Sequence, residues 1–174
     1  AGNVGIGTTP KTWYSTLQGG VLHLGGAGAL ATQKTFNSGG SMHSSYNMYI
    51  DAGGDYTYIG SDEASTMQQS GGAFYFKTTS TTGSADGTIT FTDAMTILHN
   101  GNVGIGATVP DTTLEIAGAH TGGLGLLHLD STDHAYISLD AHSSSHDSGI
   151  WFQEATAIQF IISYDGSENE LIFS

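Results

Sequence analysis

Apolar side chains recur at every second position in short runs, and stretches of Gly, Ser, Thr, Asn and Asp separate those runs. A period of two marks a strand with one buried face. Residues 20–24 read as a short strand closed by Gly25 and Gly26. Residues 46–50 alternate, with Tyr46, Met48 and Ile50 on one face; 51–55 form a turn and 56–59 return, which predicts a β-hairpin. Strands are predicted at 73–77 and 88–92, the second with Ile89 and Phe91 turned inward. The series continues at 95–98, 114–116, 122–129, 135–139, 148–152, 158–162 and 170–173, with a turn at Asp165 and Gly166. Residues 34–42 and 78–87 read as loops, and residues 60–72 are polar and end in Gly71 and Gly72. No segment holds a 3.6-residue period long enough for a helix, and 93–99 would make one helical turn at most. The pattern therefore predicts an all-β fold.

A repeat organises these strands. Residues 2–7 and 101–106 both read Gly-Asn-Val-Gly-Ile-Gly, and Pro10 and Pro110 follow within a few residues. Such self-similarity marks tandem architectures. Within the motif Val4 and Ile6, or Val103 and Ile105, alternate with Gly5 and Gly7, or Gly104 and Gly106. That gives a strand with one β-branched face and one bare face, and a bare face lets another backbone come close. These eight residues are expected to pack between neighbouring chains. The flanks also correspond: Leu-His-Leu occurs at 22–24 and again at 127–129. Two tandem repeats are expected, 1–99 with a hairpin insertion and 100–174 without it. The chain closes as whole repeats, which suggests a segment cut from a longer array or a head-to-tail subunit. In this reading 170–173 hold the place before one motif that 95–98 hold before the other.

The run from Met95 through the second motif to Pro110, followed by Leu114, Glu115 and Ile116, resembles the shaft repeats of bacteriophage tail fibres and related trimeric phage appendages. In that family, segments with Met-x-Ile ahead of the motif and a Pro and a Leu-x-Ile or Leu-x-Val after it recur along the shaft. They often precede an endosialidase-type chaperone domain, which has no counterpart in these residues. The first copy departs from the pattern after Pro10, where Trp13 and Tyr14 stand. The resemblance implies short-stranded tandem β repeats in an intertwined homotrimeric fibre, located on the virion outside the cell. It implies a structural, non-enzymatic role in host attachment. The number three comes from the resemblance alone; that small repeats need neighbours to complete a core is general.

Composition narrows the partners. Three Lys and no Arg stand against 16 acidic residues, for a formal net charge of −13. Such a chain repels nucleic acid and anionic membranes. No run approaches the 18 apolar residues of a membrane-spanning helix. Cysteine is absent, so disulfides contribute nothing.

Candidate chemistry is sparse. The histidines are His23, His43, His99, His120, His128, His134, His142 and His146. None has the spacing of a metal site, and the reading assigns no metal and no cofactor. Residues 165–170 are acidic but lack the glycine and distal glutamate of a calcium loop. Asp62 and Glu63 are a carboxylate pair of the kind glycosidases use, without the long scaffold expected around one. No nucleophile elbow, zinc-protease helix or phosphate loop is present. The alternative to a plain shaft is a receptor-binding module in which Trp13, Tyr14 and Tyr49 stack on a host-surface glycan.

Overall fold

The computed structural model describes residues 3–11, 20–33, 40–118, 127, 132, 134, 136–139, 141, 147–154, 157–165, 168 and 170–173. Among these, 14 strands and no helix occur: β1 (Asn3–Ile6), β2 (Val21–Leu24), β3 (Gly28–Gln33), β4 (Ser41–Tyr46), β5 (Met48–Ile50), β6 (Tyr56–Tyr58), β7 (Ser65–Ser70), β8 (Ala73–Thr78), β9 (Thr92–Ile97), β10 (Val103–Ile105), β11 (Leu114–Ile116), β12 (Ser148–Glu154), β13 (Ala157–Asp165) and β14 (Glu170–Phe173). The all-β expectation holds. Two compact units divide the chain, Ala1–Leu127 and His128–Ser174. The boundary expected at 99/100 separates two repeats in sequence, yet it falls inside the first unit, between the paired strands β9 and β10.

The first unit is a nine-stranded sheet in the order β1-β2-β3-β4-β7-β8-β9-β10-β11, with the β5–β6 hairpin apart from it. All its pairings are antiparallel except β1 with β2 and β10 with β11. Residues 106–113 alone join β10 to β11, a short link for parallel strands. It suffices because each strand is three residues, so the chain retraces only about 10 Å.

The core lies where the hairpin meets the sheet. Met48, Ile50, Tyr58 and Ile89 are buried with Val21, Ala29 and Ala31. The sheet face beneath carries small and polar groups, among them Ser41, His43, Ser45 and Thr66, all buried. Small side chains let the hairpin approach, and some of the polar ones find partners, although His43 Nδ1 and Thr96 Oγ1 have none among the described residues. Ser45 and Thr66 share a hydrogen bond of 3.0 Å, and Ser41 Oγ meets His43 Nε2 at 2.9 Å. The His43 ring also packs edge-on to Tyr56, and Tyr56 packs likewise on Phe91.

Several expected elements take other forms. The alternation expected over 46–50 breaks at Asn47, which has a positive φ of 53°. The chain there leaves the large sheet for the hairpin, so Tyr46 is exposed while Met48 and Ile50 are buried. Asn47 Nδ2 donates to the carbonyls of Gly60, Asp62 and Glu63, and its Oδ1 accepts from the Gly60 N–H. The strand expected at 88–92 reduces to one bridge between Thr57 and Thr88, although Ile89 and Phe91 do pack inward. The helical turn allowed at 93–99 lies in strand β9 and the hairpin loop that follows it. Residues 41–42, read as loop, and 65–70, read only as polar, are in strands β4 and β7. Tyr136–139, read as part of a strand, lie in none. Most of 122–129 is outside the described residues. In the second unit β12, β13 and β14 form an antiparallel meander, as the alternation and the Asp165 turn predict.

Candidate functional site

The two motif copies adopt one local structure. In each, the motif strand pairs in parallel with the next strand: Val4 and Ile6 oppose Leu22 and Leu24, and Val103 and Ile105 oppose Leu114 and Ile116. The isoleucine carbonyl accepts the amide just past the partner strand, from Gly25 at 2.8 Å in one copy and Ala117 at 2.9 Å in the other. The last glycine turns the chain at positive φ, +74° at Gly7 and +72° at Gly106. Above the central glycine lies the chain's own backbone. A Cβ on Gly5 would sit 2.2 Å from the Thr8 oxygen, and one on Gly104 2.2 Å from the Ala107 oxygen. The bare face expected to admit a neighbouring chain is thus filled from within. The reason is the turn at the following glycine, which folds the chain straight back over the strand.

The other face of the same strands is different. Reading the registers from β2 outward, Val4 stands beside Leu22, Leu22 beside Leu30, and Leu30 beside Ser44. Ser44 is followed by Met67, Phe76, Met95, Ile105 and Ile116. A second row runs Thr32, Met42, Gln69, Phe74, Ile97, Val103 and Leu114. Directly opposed residues share a face. Nine strands at ~4.8 Å spacing carry the first row about 40 Å across the sheet, and the second row crosses seven of them. No side chain in either row is charged, although the chain carries a net charge of −13. Val4, Ile6, Ile105 and Leu114 are 44–58% exposed, and Leu30, Met42, Phe74 and Phe76 are also exposed. A groove of about 380 Å³ opens on this face between Val4, Leu22, Leu30 and Met42. Isolated exposed hydrophobics are ordinary; a continuous uncharged apolar face is the form of an interaction surface.

The three-stranded sheet repeats the arrangement. Ile150 opposes Ile162, Phe152 opposes Phe160, and Ile162 and Tyr164 oppose Phe173 and Leu171. Ile150, Phe152, Phe160, Tyr164, Leu171 and Phe173 are exposed together on that face.

The remaining candidates resolve differently. Tyr49 is buried in the core, its hydroxyl donates to Asp86 Oδ1 at 2.8 Å, and Lys11 Nζ sits 5.4 Å from its ring centre. Burial and the Asp86 bond push its pKa up to about 12. No ring face is left for a sugar, so the expected glycan contact at Tyr49 is corrected. Trp13 and Tyr14 lie outside the described residues, as do His120, His128, His142 and His146. His23 and His43 are both buried on the inner face, but β3 lies between their strands. Two strand spacings, about 10 Å, keep them from sharing an ion. No group of three metal-ligating side chains occurs among the described residues. Asp62 accepts from the Tyr46 hydroxyl at 2.6 Å and Glu63 from Thr82 at 2.8 Å. The Tyr46 bond holds the Asp62 carboxyl below its ordinary range, which suits a charged loop anchor. Asp165 accepts from the Glu168 amide, as a hairpin turn requires.

The outer face is not legible in the sequence because two strands at the centre of the sheet, β4 and β7, look polar there. The signal that would have found it is Met42, Met67 and Phe74, apolar residues in segments that otherwise point polar groups inward. No protein-family model matches the chain, and no curated protein matches it.

Proposed function

We propose that this chain is a structural shaft segment of a phage tail fibre or a similar trimeric extracellular appendage, with its apolar sheet faces buried against other copies of itself. One observation carries the self-association: two sheets in separate units each turn an uncharged apolar face outward. Interface centres are depleted of charge in the same way. A second copy offers the same uncharged apolar face to pair with this one, whereas the net charge of −13 repels nucleic acid and anionic membranes, which carry no such face. The trimer and the virion rest on the resemblance of the repeat motif to fibre shafts. The role is mechanical and non-enzymatic, extending the appendage towards the host. Sedimentation tests it: a particle of three 18.0 kDa chains is expected, and a single-chain mass at all concentrations would refute it.

Receptor binding is the second reading, and Trp151 favours it. That side chain is 62% exposed on β12, and it points away from the face that carries Ile150 and Phe152. It therefore stays free in the proposed assembly. Weak saturable binding of host-surface glycan, lost in Trp151→Ala, would select this reading.

A further inference from the structure

β1 and β10 are the same strand in two copies of one motif, and they differ in their neighbours. β10 is paired on both sides, with β9 and β11. Among the described residues β1 is paired on one side, with β2. In the second copy the backbone groups alternate between the two neighbours. Asn102 O accepts from the Leu98 amide, the Gly106 amide donates to Ala94, and Gly104 lies between them opposite Thr96. Val103 and Ile105 bond the other way, to Thr113 and Ala117. In the first copy Ile6 bonds to Gly25, so the same alternation holds. It leaves the backbone groups of Asn3, Gly5 and Gly7 aimed at the outer edge of β1.

We propose that this edge takes an antiparallel strand from a second copy of this chain, namely β14, with Phe173 opposite Val4 and Leu171 opposite Ile6. An open edge is a template for such pairing, and backbone bonds supply its affinity. The choice of β14 rests on three features. Among the described residues it is itself an edge strand, paired with β13. It contains no proline or lysine, residues that commonly guard edges. Its Leu171 and Phe173 are 59% and 64% exposed on the apolar face of their sheet. The stated register carries that face onto Val4 and Ile6, just as Met95 and Ile97 stand beside Ile105 and Val103. The pairing rests on the reading of this chain as one that assembles with itself, but it uses a backbone edge rather than a side-chain face. Repeated head to tail, such a contact gives a ring where the rotation closes and a filament where it does not.

Cysteine pairs test the register, because the chain has none of its own. The template pair Val103 and Ile97 lies between hydrogen-bonded positions, where opposed Cα atoms come within about 4.5 Å and a disulfide fits. Val103→Cys with Ile97→Cys should close within one chain and calibrate the oxidation. Val4→Cys with Phe173→Cys should give a ladder of three and more linked chains on a non-reducing gel. Either single variant can reach only two. Val4→Cys with Ile172→Cys, the second thiol on the opposite face, should not exceed two linked chains. No ladder from the first pair, or an equal ladder from the Ile172 control, overturns the proposal. Sedimentation of the reduced variants separates the two readings. A multi-chain mass without the ladder sinks edge pairing alone. A single-chain mass throughout sinks both.

Discussion

Gly5 and Gly104 are interchangeable in structure. Each is the middle glycine of a motif strand, and each has a backbone oxygen from three residues downstream where its side chain would be, 2.2 Å from the Cβ position in both. That agreement ties the two copies together more firmly than their shared letters do. It also says what the glycine is for: the close approach is made within the chain.

Gly104→Ala should therefore damage the folded unit itself. Its Cβ would meet the Ala107 carbonyl, which is backbone and cannot swing aside. A loss of about 3 kcal/mol is expected. Gly101→Ala, with open space around it but a φ of +90°, should lose only about 1 kcal/mol, through backbone strain. Urea midpoints of the two variants check the ranking, and equal midpoints would contradict it.

Asn47 holds the point where the chain leaves one sheet for the other. Asn47→Gly keeps the positive φ and removes the side-chain bonds to Gly60, Asp62 and Glu63. It should cost about 2 kcal/mol, because buried backbone groups lose partners. Asn47→Ala adds strain and should be worse. A Gly variant as stable as the parent would show that the backbone conformation alone matters.

His43 should make the fold sensitive to mild acid. Burial, then the Lys77 charge, pushes its pKa down to about 4 from 6.5. The unfolded chain takes up a proton below pH 6.5 that the folded chain refuses until about pH 4. Stability from the neutral imidazole is thus complete above pH 6.5 and drains away as pH falls towards 4. Between pH 7.5 and 5 the loss is about 2 kcal/mol. In His43→Leu that part of the pH dependence should vanish, and a variant with an unchanged slope would disprove the assignment.

Much of the β content was legible, because β2, β6, β8, β10, β11 and the β12–β14 meander show apolar alternation or the motif glycines. The strands that escaped notice share a cause. β4 and β7 turn Ser41, His43, Ser45 and Thr66 towards the core. The hairpin needs small neighbours there, so these strands look polar where a strand is expected to look greasy. Their apolar residues, Met42 and Met67, belong to the outer face. The role of Asn47 was equally hidden, since one residue at positive φ splits an apparently continuous strand. The motif itself was legible as a repeat, but not as a fold in which the chain caps its own glycines.

The central claim is that the outer face of the large sheet buries itself against other copies, and the mass of the particle in solution tests it most directly. Sedimentation equilibrium should give three 18.0 kDa chains for the parent. Phe76→Lys puts a charge in the middle of that face at an already exposed position, so it should give single chains that keep their β-sheet circular dichroism. A parent that sediments as one chain, or a Phe76→Lys variant with the parent's mass and melting temperature, would contradict the account.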